Sequence, residues 1–431
     1  MSERVLRVGM LGCGTVGAAV VRLLEEHRDD IARRAGCRLE VVKVAVRDPS
    51  RPRDVPLGPN AFVADPMAVV DDPEVDIVCE LIGGGEPAGS LILAAFDRSK
   101  PVVTANKELL ATRGRELFDA SDAKGLDLYF EAAVGGGIPL IRPLKESLTG
   151  ERIRRVLGIV NGTTNFILTR MSEEGRAFDD VLAEAQRLGY AEAEPSADVD
   201  GHDAAAKCAI LASIAFNARV VADDVYREGI SRVRVEDLEY ARRLGYVVKL
   251  LAIAEMGEDE RIAARVHPAM IPASHPLASV RDAFNAVFVE GARVGELMFY
   301  GRGAGGDPTA TAVVGDLVSV ARNRLAEARG VGCTCYHERT IRPMDEMTGQ
   351  YYILLRVDDR PGVLAEIASV LGRNDVSIKS VWQEGTGGDA QLVFVTHRAT
   401  EGSFQRAVSE LRGVSSVDEV QSVLRVEGEE P

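Results

Sequence analysis

Short apolar runs alternate with helical patterns over the first 131 residues of the chain. The run at residues 5–11 leads through a glycine-rich turn into an amphipathic helical pattern. Further predicted strands lie at residues 39–46, 75–81, 102–103 and 126–131, and further helices at residues 88–96 and 108–123. Strands that alternate with helices indicate an α/β domain, residues 1–131, with a doubly wound parallel sheet. Such a sheet binds ligands beyond the carboxyl ends of its strands.

The pattern changes after residue 131. Predicted strands lie at residues 155–160, 246–254, 286–289 and 296–300. A helix is predicted to start at Phe166, after polar residues 161–165 that can cap it, and another covers residues 309–328. We predict an α+β domain over residues 132–330, whose last helix packs back on the first domain.

The tail of the chain has a pattern of its own. Residues 331–349 lack periodicity and are predicted to be a linker, and residues 350–427 to be a compact unit. Its predicted strands lie at residues 351–357, 376–382, 391–396 and 414–425, with one helix that ends at 371 and another at 403–411. The order βαββαβ is ferredoxin-like. We expect this tail to be separable from the rest.

The turn after the first strand carries a glycine motif. It reads Gly12-Cys13-Gly14-Thr15-Val16-Gly17. A G-x-G-x-x-G motif between a strand and a helix is typical of a Rossmann-type dinucleotide-binding domain. The glycines permit a tight turn and a close approach of the pyrophosphate, which then lies at the positive N-terminus of the helix. A dinucleotide cofactor is therefore predicted.

Basic residues follow the second strand, where enzymes that use NAD carry an acid that binds the ribose. Arg47, Arg51 and Arg53 suit a ribose 2′-phosphate, so that NADP is favoured. Asp48 in the same stretch keeps NAD open, and a solvated basic loop without a ligand is the alternative.

Three more stretches suit ligands. Thr104 and Lys107 lie at the end of a predicted strand, so we expect Lys107 to face the cofactor cleft. The glycine loop at residues 301–306, which includes Gly305, opens a helix and suits an anion. The loop at residues 132–139 leaves carbonyl groups exposed that can hold a hard cation. The alternatives are a surface lysine, a tight connection and a loop that binds nothing.

Residues 189–216 combine carboxylates with an almost wholly apolar helix. Glu192, Asp198 and Asp203 precede a single lysine, Lys207, and the run after it is apolar. Asp203 and Lys207 stand four residues apart and so share one face of a helix. A helix that is apolar on nearly every side is buried, and a buried lysine is costly unless it is paired. We interpret the pair as a proton-transfer site; a surface ion pair is the alternative.

The composition narrows the classes of function. Of 431 residues, 46% are hydrophobic and 27% are charged, and the formal net charge is −15. This acidity argues against a nucleic-acid partner, because phosphate neutralisation needs clustered Lys and Arg. The sequence shows neither a signal-peptide core nor a run long enough to span a bilayer. We expect a small-molecule partner and a cytoplasmic location.

Six cysteines are scattered through the chain. Most lie in apolar segments, where cysteine acts as a small hydrophobic residue, and no disulfide is implied. Cys333 and Cys335 form a Cys-x-Cys pair, but His337 does not complete a set of four metal ligands. We predict neither a metal nor a redox role for this segment.

Together these motifs closely resemble homoserine dehydrogenase with a C-terminal ACT regulatory domain. The matching segments span almost the whole chain and read GCGTVG, TANKELL, FEAAVGGGIPLI, GIVNGTTNFIL, LGYAEAEPSADVDGHDAAAK and DRPGVLAEI. The resemblance implies interconversion of homoserine and aspartate 4-semialdehyde with a nicotinamide cofactor. It also implies a homodimer or homotetramer, with residues 132–330 serving catalysis and dimerisation, and threonine as the effector. No aspartokinase domain is expected before the first strand.

The resemblance further implies roles for individual residues. Lys207 corresponds to the proton-transferring lysine, Asp203 to its helical partner, and Lys107 to the lysine between substrate and nicotinamide. The implied substrate contacts are Glu192, Asp198, Thr163 and Tyr190. The implied cofactor contacts are Gly12, Gly14, Thr15, Val16, Gly17, Arg47, Arg51, Thr104, Lys107 and Gly305. The implied sodium ligands, acting mainly through main-chain oxygens, are Glu131, Val134, Gly136 and Ile138.

Three alternative functions differ from this resemblance in the residues they require. Phosphoglycerate dehydrogenase, which also carries an ACT domain, would need a catalytic histidine with an acidic partner, and none of the six histidines is well placed. Aspartate-semialdehyde dehydrogenase would need a nucleophilic cysteine, and Cys208 on a buried helix is a poor candidate. An amino-acid sensor that binds NADP without turnover is disfavoured by Lys107 and Lys207.

Overall fold

The computed structural model describes residues 4–385 and 390–428. The chain divides into two compact units. The first consists of Met1–Val156, Ala206–Asp224 and Asn285–Arg339, and the second of Leu157–Ala205, Val225–Phe284 and Thr340–Pro431. No helix in the described ranges is long and apolar enough to cross a membrane.

Helices and strands are numbered here in chain order. The α-helices are α1 (Thr15–Glu26), α2 (Arg28–Ala35), α3 (Met67–Val70), α4 (Ala88–Asp97), α5 (Lys107–Lys124), α6 (Gly162–Glu174), α7 (Phe178–Arg187), α8 (Ser196–Val199), α9 (His202–Ala215), α10 (Val235–Arg243), α11 (Gly306–Leu325), α12 (Val363–Arg373) and α13 (Glu401–Leu411). The strands are β1 (Val5–Leu11), β2 (Arg38–Ala45), β3 (Phe62–Val63), β4 (Ile77–Glu80), β5 (Val102–Thr104), β6 (Leu128–Tyr129), β7 (Ile153–Ile159), β8 (Tyr226–Arg227), β9 (Tyr246–Met256), β10 (Ile262–Pro272), β11 (Phe284–Gly291), β12 (Gly295–Arg302), β13 (Thr348–Val357), β14 (Ile378–Glu384), β15 (Gln391–Thr396), β16 (Ala399–Thr400) and β17 (Val417–Val426).

The first unit contains a parallel six-stranded sheet. Its strand order is β3-β2-β1-β4-β5-β6, which is the order of a dinucleotide-binding Rossmann domain. The fully buried residues Val8 and Ile77 of this sheet share one apolar core with Val313 and Leu317 of α11. The predicted doubly wound fold is therefore confirmed, and α11 lies in the core of the same unit.

Within the second unit, neighbouring strands follow the order β9-β10-β17-β13-β15-β14. The last four strands and helices α12 and α13 form the ferredoxin-like tail, whose apolar core includes Ile353, Phe394 and Phe404. The order βαββαβ was thus predicted correctly. Strand β10 was not predicted, because every one of its residues is buried and its sequence shows no alternation of polar and apolar positions.

The tail makes several contacts with the rest of the second unit. Strand β17 pairs with β10 in parallel through Arg425 and Val426. The hydroxyl of Tyr352, a fully buried side chain, donates a hydrogen bond to Asp237 Oδ1 on α10 at 3.3 Å. Arg425, also buried, donates to Glu401 at 2.6 Å and to Glu228 at 2.7 Å. These contacts connect the tail to the rest of its unit, and its separability stays a prediction that truncation tests.

The predicted end of one strand and the predicted start of one helix are wrong, and both differences affect the site. Strand β6 ends at Tyr129, and Glu131 begins a short 3-10 turn instead of ending a strand. Helix α6 begins at Gly162 and not at Phe166, because the side chain of Asn161 already accepts the N–H of Thr164 at 2.9 Å and caps the helix there. Thr163 consequently lies in the first turn of α6.

Candidate active site

The glycine motif forms a tight turn between β1 and α1. Gly12 has φ +102°, and a Cβ there would lie 2.8 Å from the carbonyl oxygen of Leu81. A Cβ on Gly17 would lie 2.6 Å from the carbonyl oxygen of Gly12. Neither position accommodates a side chain, so the backbone passes close to β4 and α1 begins at Thr15 with its first N–H groups available to an anion.

A second helix begins beside this turn in the same unit. Gly305 has φ +121° and precedes α11, and a Cβ on Gly306 would lie 3.1 Å from Thr15 Cγ2. The structure therefore brings the predicted residue Gly305 close to Thr15 of the glycine motif, although they stand far apart in the sequence. Two helix N-termini at one place form a favourable environment for a negatively charged group.

A buried carboxylate that was not predicted organises the ends of β4 and β5. Glu80 Oε1 accepts the N–H groups of Ile82 and Gly83 at 2.8 and 3.0 Å, and Oε2 accepts the hydroxyl of Thr104 at 2.6 Å. Thr104 Oγ1 in turn accepts the N–H of Asn106 at 3.0 Å. The predicted cofactor residue Thr104 thus uses its hydroxyl to shape the loop.

Asn106 places Lys107 at the start of α5. Its Oδ1 accepts the N–H of Leu109 at 3.1 Å and caps the helix, while its Nδ2 donates to the carbonyl oxygen of Gly84 at 2.7 Å. The side chain of Asn106 is buried and Lys107 is half-buried. Lys107 consequently starts from a rigid base at the carboxyl end of the sheet, which is the position predicted for it.

The basic loop after β2 has a defined internal structure. Arg53 donates to the carbonyl oxygens of Asp48 at 3.0 Å and Arg51 at 2.8 Å. Asp48 Oδ1 accepts the hydroxyl and the N–H of Ser50 at 2.6 and 2.9 Å, and these hydrogen bonds hold the pKa of Asp48 below its usual value. Arg53 therefore supports the loop, whereas Arg47 and Arg51 are exposed.

A pair of carboxylates lies at the start of α6 in the second unit. Asn161 Nδ2 donates to Asp198 Oδ1 at 2.7 Å and to Asp203 Oδ2 at 2.8 Å. The same residue caps α6 through its Oδ1. The sequence indicated only the capping role of Asn161. Its bridging role brings together two predicted carboxylates that come from α8 and α9.

Thr163 and Tyr190 also meet at this end of α6. Thr163 Oγ1 donates to the carbonyl oxygen of Tyr190 at 2.7 Å, and the ring of Tyr190 lies 5.0 Å from that of Phe166. Tyr190 is 45% exposed and Glu192 is exposed. The structure thus joins Thr163 to Tyr190, and leaves the carboxylate of Glu192 open to solvent.

Helix α9 carries Asp203 in its first turn and Lys207 one turn later. The expectation of a buried helix is confirmed, since the side chain of Lys207 is 8% exposed and its neighbours Ala204 and Cys208 are 2% and 1% exposed. Residues four apart on a helix lie on one face. Asp203 and Lys207 therefore lie on the same face of α9.

The loop that begins at Glu131 is built around that residue's carboxylate. Glu131 Oε1 accepts the N–H groups of Leu140 and Ile141 at 2.5 and 2.8 Å, and Oε2 accepts the N–H of Arg142 at 2.9 Å. The N–H of Glu131 donates to Asp316 Oδ2 at 2.8 Å. The side chain of Glu131 is thus engaged by the protein itself.

Main-chain oxygens of the same loop can serve a cation. The carbonyl oxygens of Val134 and Gly136 accept no backbone hydrogen bond from any residue that the structure describes. Val134 and Ile138 are buried, and a Cβ on Gly136 would lie 2.5 Å from the carbonyl oxygen of Gly303. Within the described residues, no group of three or more His, Cys, Asp or Glu side chains could hold a metal.

Comparison with known proteins identifies the family. The homoserine dehydrogenase family model matches residues 139–318, the homoserine dehydrogenase NAD-binding domain residues 12–131, and the ACT domain residues 351–415. Over 424 residues the chain is 50% identical to the homoserine dehydrogenase of Corynebacterium glutamicum, covering 97% of this chain and 95% of that one. The chain belongs to the homoserine dehydrogenase family. It is therefore an oxidoreductase with an NAD-binding domain and an ACT domain.

Other homoserine dehydrogenases agree over the full length. The Bacillus subtilis protein is 42% identical over 429 residues, covering 99% of each chain. The crystal structure of the homoserine dehydrogenase from Thiobacillus denitrificans superimposes with a TM-score of 0.92 at 43% identity, again covering 99% of each chain. The likeness thus includes both units and the ACT domain.

Proposed function

We propose that the enzyme interconverts L-homoserine and L-aspartate 4-semialdehyde with NADP as the preferred cofactor and threonine as a feedback effector. The observation that carries the substrate assignment is the carboxylate pair Asp198 and Asp203, which Asn161 holds together one helical turn from Lys207. An amino-acid substrate presents an ammonium group that carboxylates bind, and its carbonyl or hydroxyl group needs a proton donor or acceptor.

Each side chain has a distinct part in this proposal. Asp198 and Glu192 bind the substrate ammonium group, and Thr163 and Tyr190 contact the rest of the amino acid. When bound, the nicotinamide supplies or accepts the hydride. Lys207 gives a proton to the carbonyl oxygen during reduction and takes it back during oxidation, and Asp203 is its partner on the same face of the helix. Lys107 lies between substrate and cofactor.

The basic loop supports NADP over NAD. Arg47 and Arg51 are exposed, whereas Asp48 Oδ1 already accepts two hydrogen bonds from Ser50. Arginine is suited to a phosphate group. A hyperthermophilic archaeal homoserine dehydrogenase was solved in complex with NADPH. This chain resembles it with 28% identity and a TM-score of 0.64, over 76% of this chain and 99% of that one.

A sodium ion fits the loop at Glu131 only through main-chain oxygens. The carboxylate of Glu131 already accepts three N–H groups. The carbonyl oxygens of Glu131, Val134, Gly136 and Ile138 are the ligands we propose, since a hard cation prefers oxygen. The ion would hold the loop in place and take no part in hydride or proton transfer.

Threonine regulation is proposed to act through contacts inside the second unit. Arg234 donates to Glu419 of the ACT domain at 2.7 Å, and Glu228 accepts from Arg425. The neighbouring N–H of Ile230 donates to the carbonyl oxygen of Val199, just before α9, at 2.8 Å. A change in the ACT domain can therefore reach the start of the helix that carries Asp203. We propose that threonine binds at residues 358–363 against a neighbouring subunit of a homodimer or homotetramer.

Initial rates provide the test. Homoserine oxidation is measured with NADP and with NAD, each with and without millimolar threonine, while the emission of Trp382 is followed. Trp382 is 42% exposed on β14 and is the chain's single tryptophan. We expect faster turnover with NADP and a threonine effect on both signals. Binding of NADPH without any turnover would support the amino-acid sensor instead, and no response to threonine would refute the effector.

A further inference from the structure

The segment around Cys333 and Cys335 packs on the carboxyl end of α9 in the first unit. The sulfur of Cys335 lies 3.9 Å from the carbonyl oxygen of Ser213, and the N–H of His337 donates to the carbonyl oxygen of Asn217 at 2.9 Å. No helix or extended strand is formed between residues 326 and 343, all of which are described. The segment is thus held by individual contacts and not by a helix or sheet.

The two thiols of this segment are two residues apart and only partly buried. The N–H of Cys335 donates to the sulfur of Cys333 at 3.4 Å, and both residues are half-buried. Cys37, Cys79 and Cys208 are buried instead, and Cys13 is half-buried but has no nearby cysteine in the sequence. Residues two apart in a chain are separated by at most about 7 Å, close to the upper limit of about 6.8 Å that a disulfide spans.

Two cations accompany the pair. Lys145 and Arg219 line the same small apolar cavity as Cys333 and Cys335. Lys145 Nζ donates to the carbonyl oxygen of Val331 at 3.0 Å, which holds the amine beside the segment. The hydrogen bonds from Cys335, helped by Arg219 and Lys145, lower the pKa of the Cys333 thiol to about 6. The same contact raises the pKa of Cys335, which remains a thiol at neutral pH.

We propose that Cys333 and Cys335 form an oxidation site for hydrogen peroxide, in which Cys333 attacks and Cys335 resolves. The thiolate sulfur of Cys333 attacks one peroxide oxygen, the O–O bond breaks, and the departing hydroxide takes up a proton. Cys333 becomes a sulfenic acid. The sulfur of Cys335 then attacks that of Cys333, the S–S bond forms, the S–O bond breaks, and the leaving hydroxide combines with the Cys335 proton. Two thiols lose two electrons, and one peroxide becomes two waters.

Metal binding is a weaker assignment for the same pair. A structural zinc site needs four ligands, and the described part of the chain offers no third His, Cys, Asp or Glu beside these two.

Oxidation also has a structural consequence. A disulfide draws the sulfur of Cys335 toward Cys333 and away from the carbonyl oxygen of Ser213. Ser213 lies about two turns after Lys207 on α9. The position of this segment then depends on its redox state.

The test uses the full-length enzyme and hydrogen peroxide. Trypsin releases residues 330–339 (GVGCTCYHER) as one peptide that contains both cysteines and no other. We expect this peptide to lose about 2 Da on oxidation and to regain it with dithiothreitol. The rate should level off at a lower pH than for an ordinary thiol, because the hydrogen bonds from Cys335 lower the pKa of Cys333.

Variants separate the two roles. Cys335→Ser should accumulate a sulfenic acid at Cys333 that dimedone traps, and Cys333→Ser should show no peptide oxidation under the same conditions. Cys13→Ser is the matched control for thiol oxidation, because Cys13 is also half-buried, and residues 330–339 should oxidise in it as in the wild type. Faster oxidation of Cys13 than of Cys333, or a Cys335→Ser protein that yields no dimedone adduct, would overturn the proposal.

Discussion

The side-chain amide of Asn161 donates a hydrogen bond to Asp203 Oδ2 at 2.8 Å. Because a second hydrogen bond joins the same amide to Asp198, and its oxygen caps α6, Asn161 has two separable tasks. We predict that Asn161→Ser lowers kcat/KM by about 10- to 100-fold, since a hydrogen bond to a charged group contributes about 1.5–3 kcal/mol. Serine also caps helices, so the melting temperature should change little.

Asn161→Ala serves as the comparison for that variant. It removes both the bridge and the cap, and capping contributes about 1 kcal/mol. The alanine variant should therefore lose activity as the serine variant does and also unfold at a lower temperature. Equal activity of Asn161→Ser and wild type would mean that the two carboxylates keep their positions without the amide.

Replacement of the buried lysine should affect chemistry and not cofactor binding. Lys207→Ala is expected to lower kcat by about 10²- to 10⁴-fold, which is the usual contribution of a general acid or base. NADPH affinity, measured by fluorescence titration, should stay near that of the wild type. Lys124→Ala is the control, because Lys124 lies on the surface of α5. A near-normal kcat of Lys207→Ala would exclude the proposed role.

Glu192→Gln should raise KM for homoserine more than it lowers kcat. The neutral amide loses the charge-assisted bond to the ammonium group, worth about 1.5–3 kcal/mol. Glu194→Gln is a close control, since Glu194 is also exposed and lies two residues further on. The KM for homoserine is measured for both variants and for the wild type. A KM of Glu192→Gln equal to that of the wild type would place Glu192 outside the substrate site.

The double variant Arg47→Ala/Arg51→Ala should reduce the preference for NADP over NAD. Both residues are exposed, whereas Arg53 supports the loop and is left in place. The ratio of kcat/KM for the two cofactors is the measured quantity. Arg33→Ala on α2, another exposed arginine, should leave the ratio unchanged. A wild-type enzyme that prefers NAD severalfold would contradict the assignment at once.

Lys249 should make stability depend on pH in the alkaline range. Its ammonium group is buried and donates to Asn165 Oδ1 at 3.0 Å, and burial lowers its pKa to about 8. Since the unfolded chain keeps a pKa of about 10.4, it binds more protons above pH 8, and the free energy of unfolding rises with pH there. Below pH 8 the full cost of the buried charge is present.

Urea denaturation at pH 7.5, 8.5 and 9.5 measures whether the free energy of unfolding rises with pH. The difference in the free energy of unfolding between wild type and Lys249→Met should move in favour of the wild type as the pH rises, by at most about 3 kcal/mol overall. The exposed Lys124→Met variant should show no such trend. A constant difference would mean that Lys249 keeps its charge in the folded protein over this range.

Local patterns account for what could be predicted. Asp203 and Lys207 were paired from a spacing of four residues, and the glycine motif from its place between a strand and a helix. The bridging role of Asn161 depends on partners that lie 37 and 42 residues away in the sequence. The hydrogen bond between Glu131 and Asp316 joins residues that are 185 positions apart. Such contacts leave no periodic trace in a single sequence. The fold has to bring the partners together before their roles become visible.

The proposed cation site in the loop at Glu131 cannot be tested by deleting its ligands through mutagenesis. If the cation is held by carbonyl oxygens, no codon change can delete a ligand, because every residue type carries the same group at that position. Replacing Glu131 would release three N–H groups and disturb the loop whether or not an ion is bound. The experimenter must therefore vary the salt and keep the sequence, comparing the activity in sodium, potassium and lithium. Natural variation in affinity at such a place can come only from the shape of the backbone.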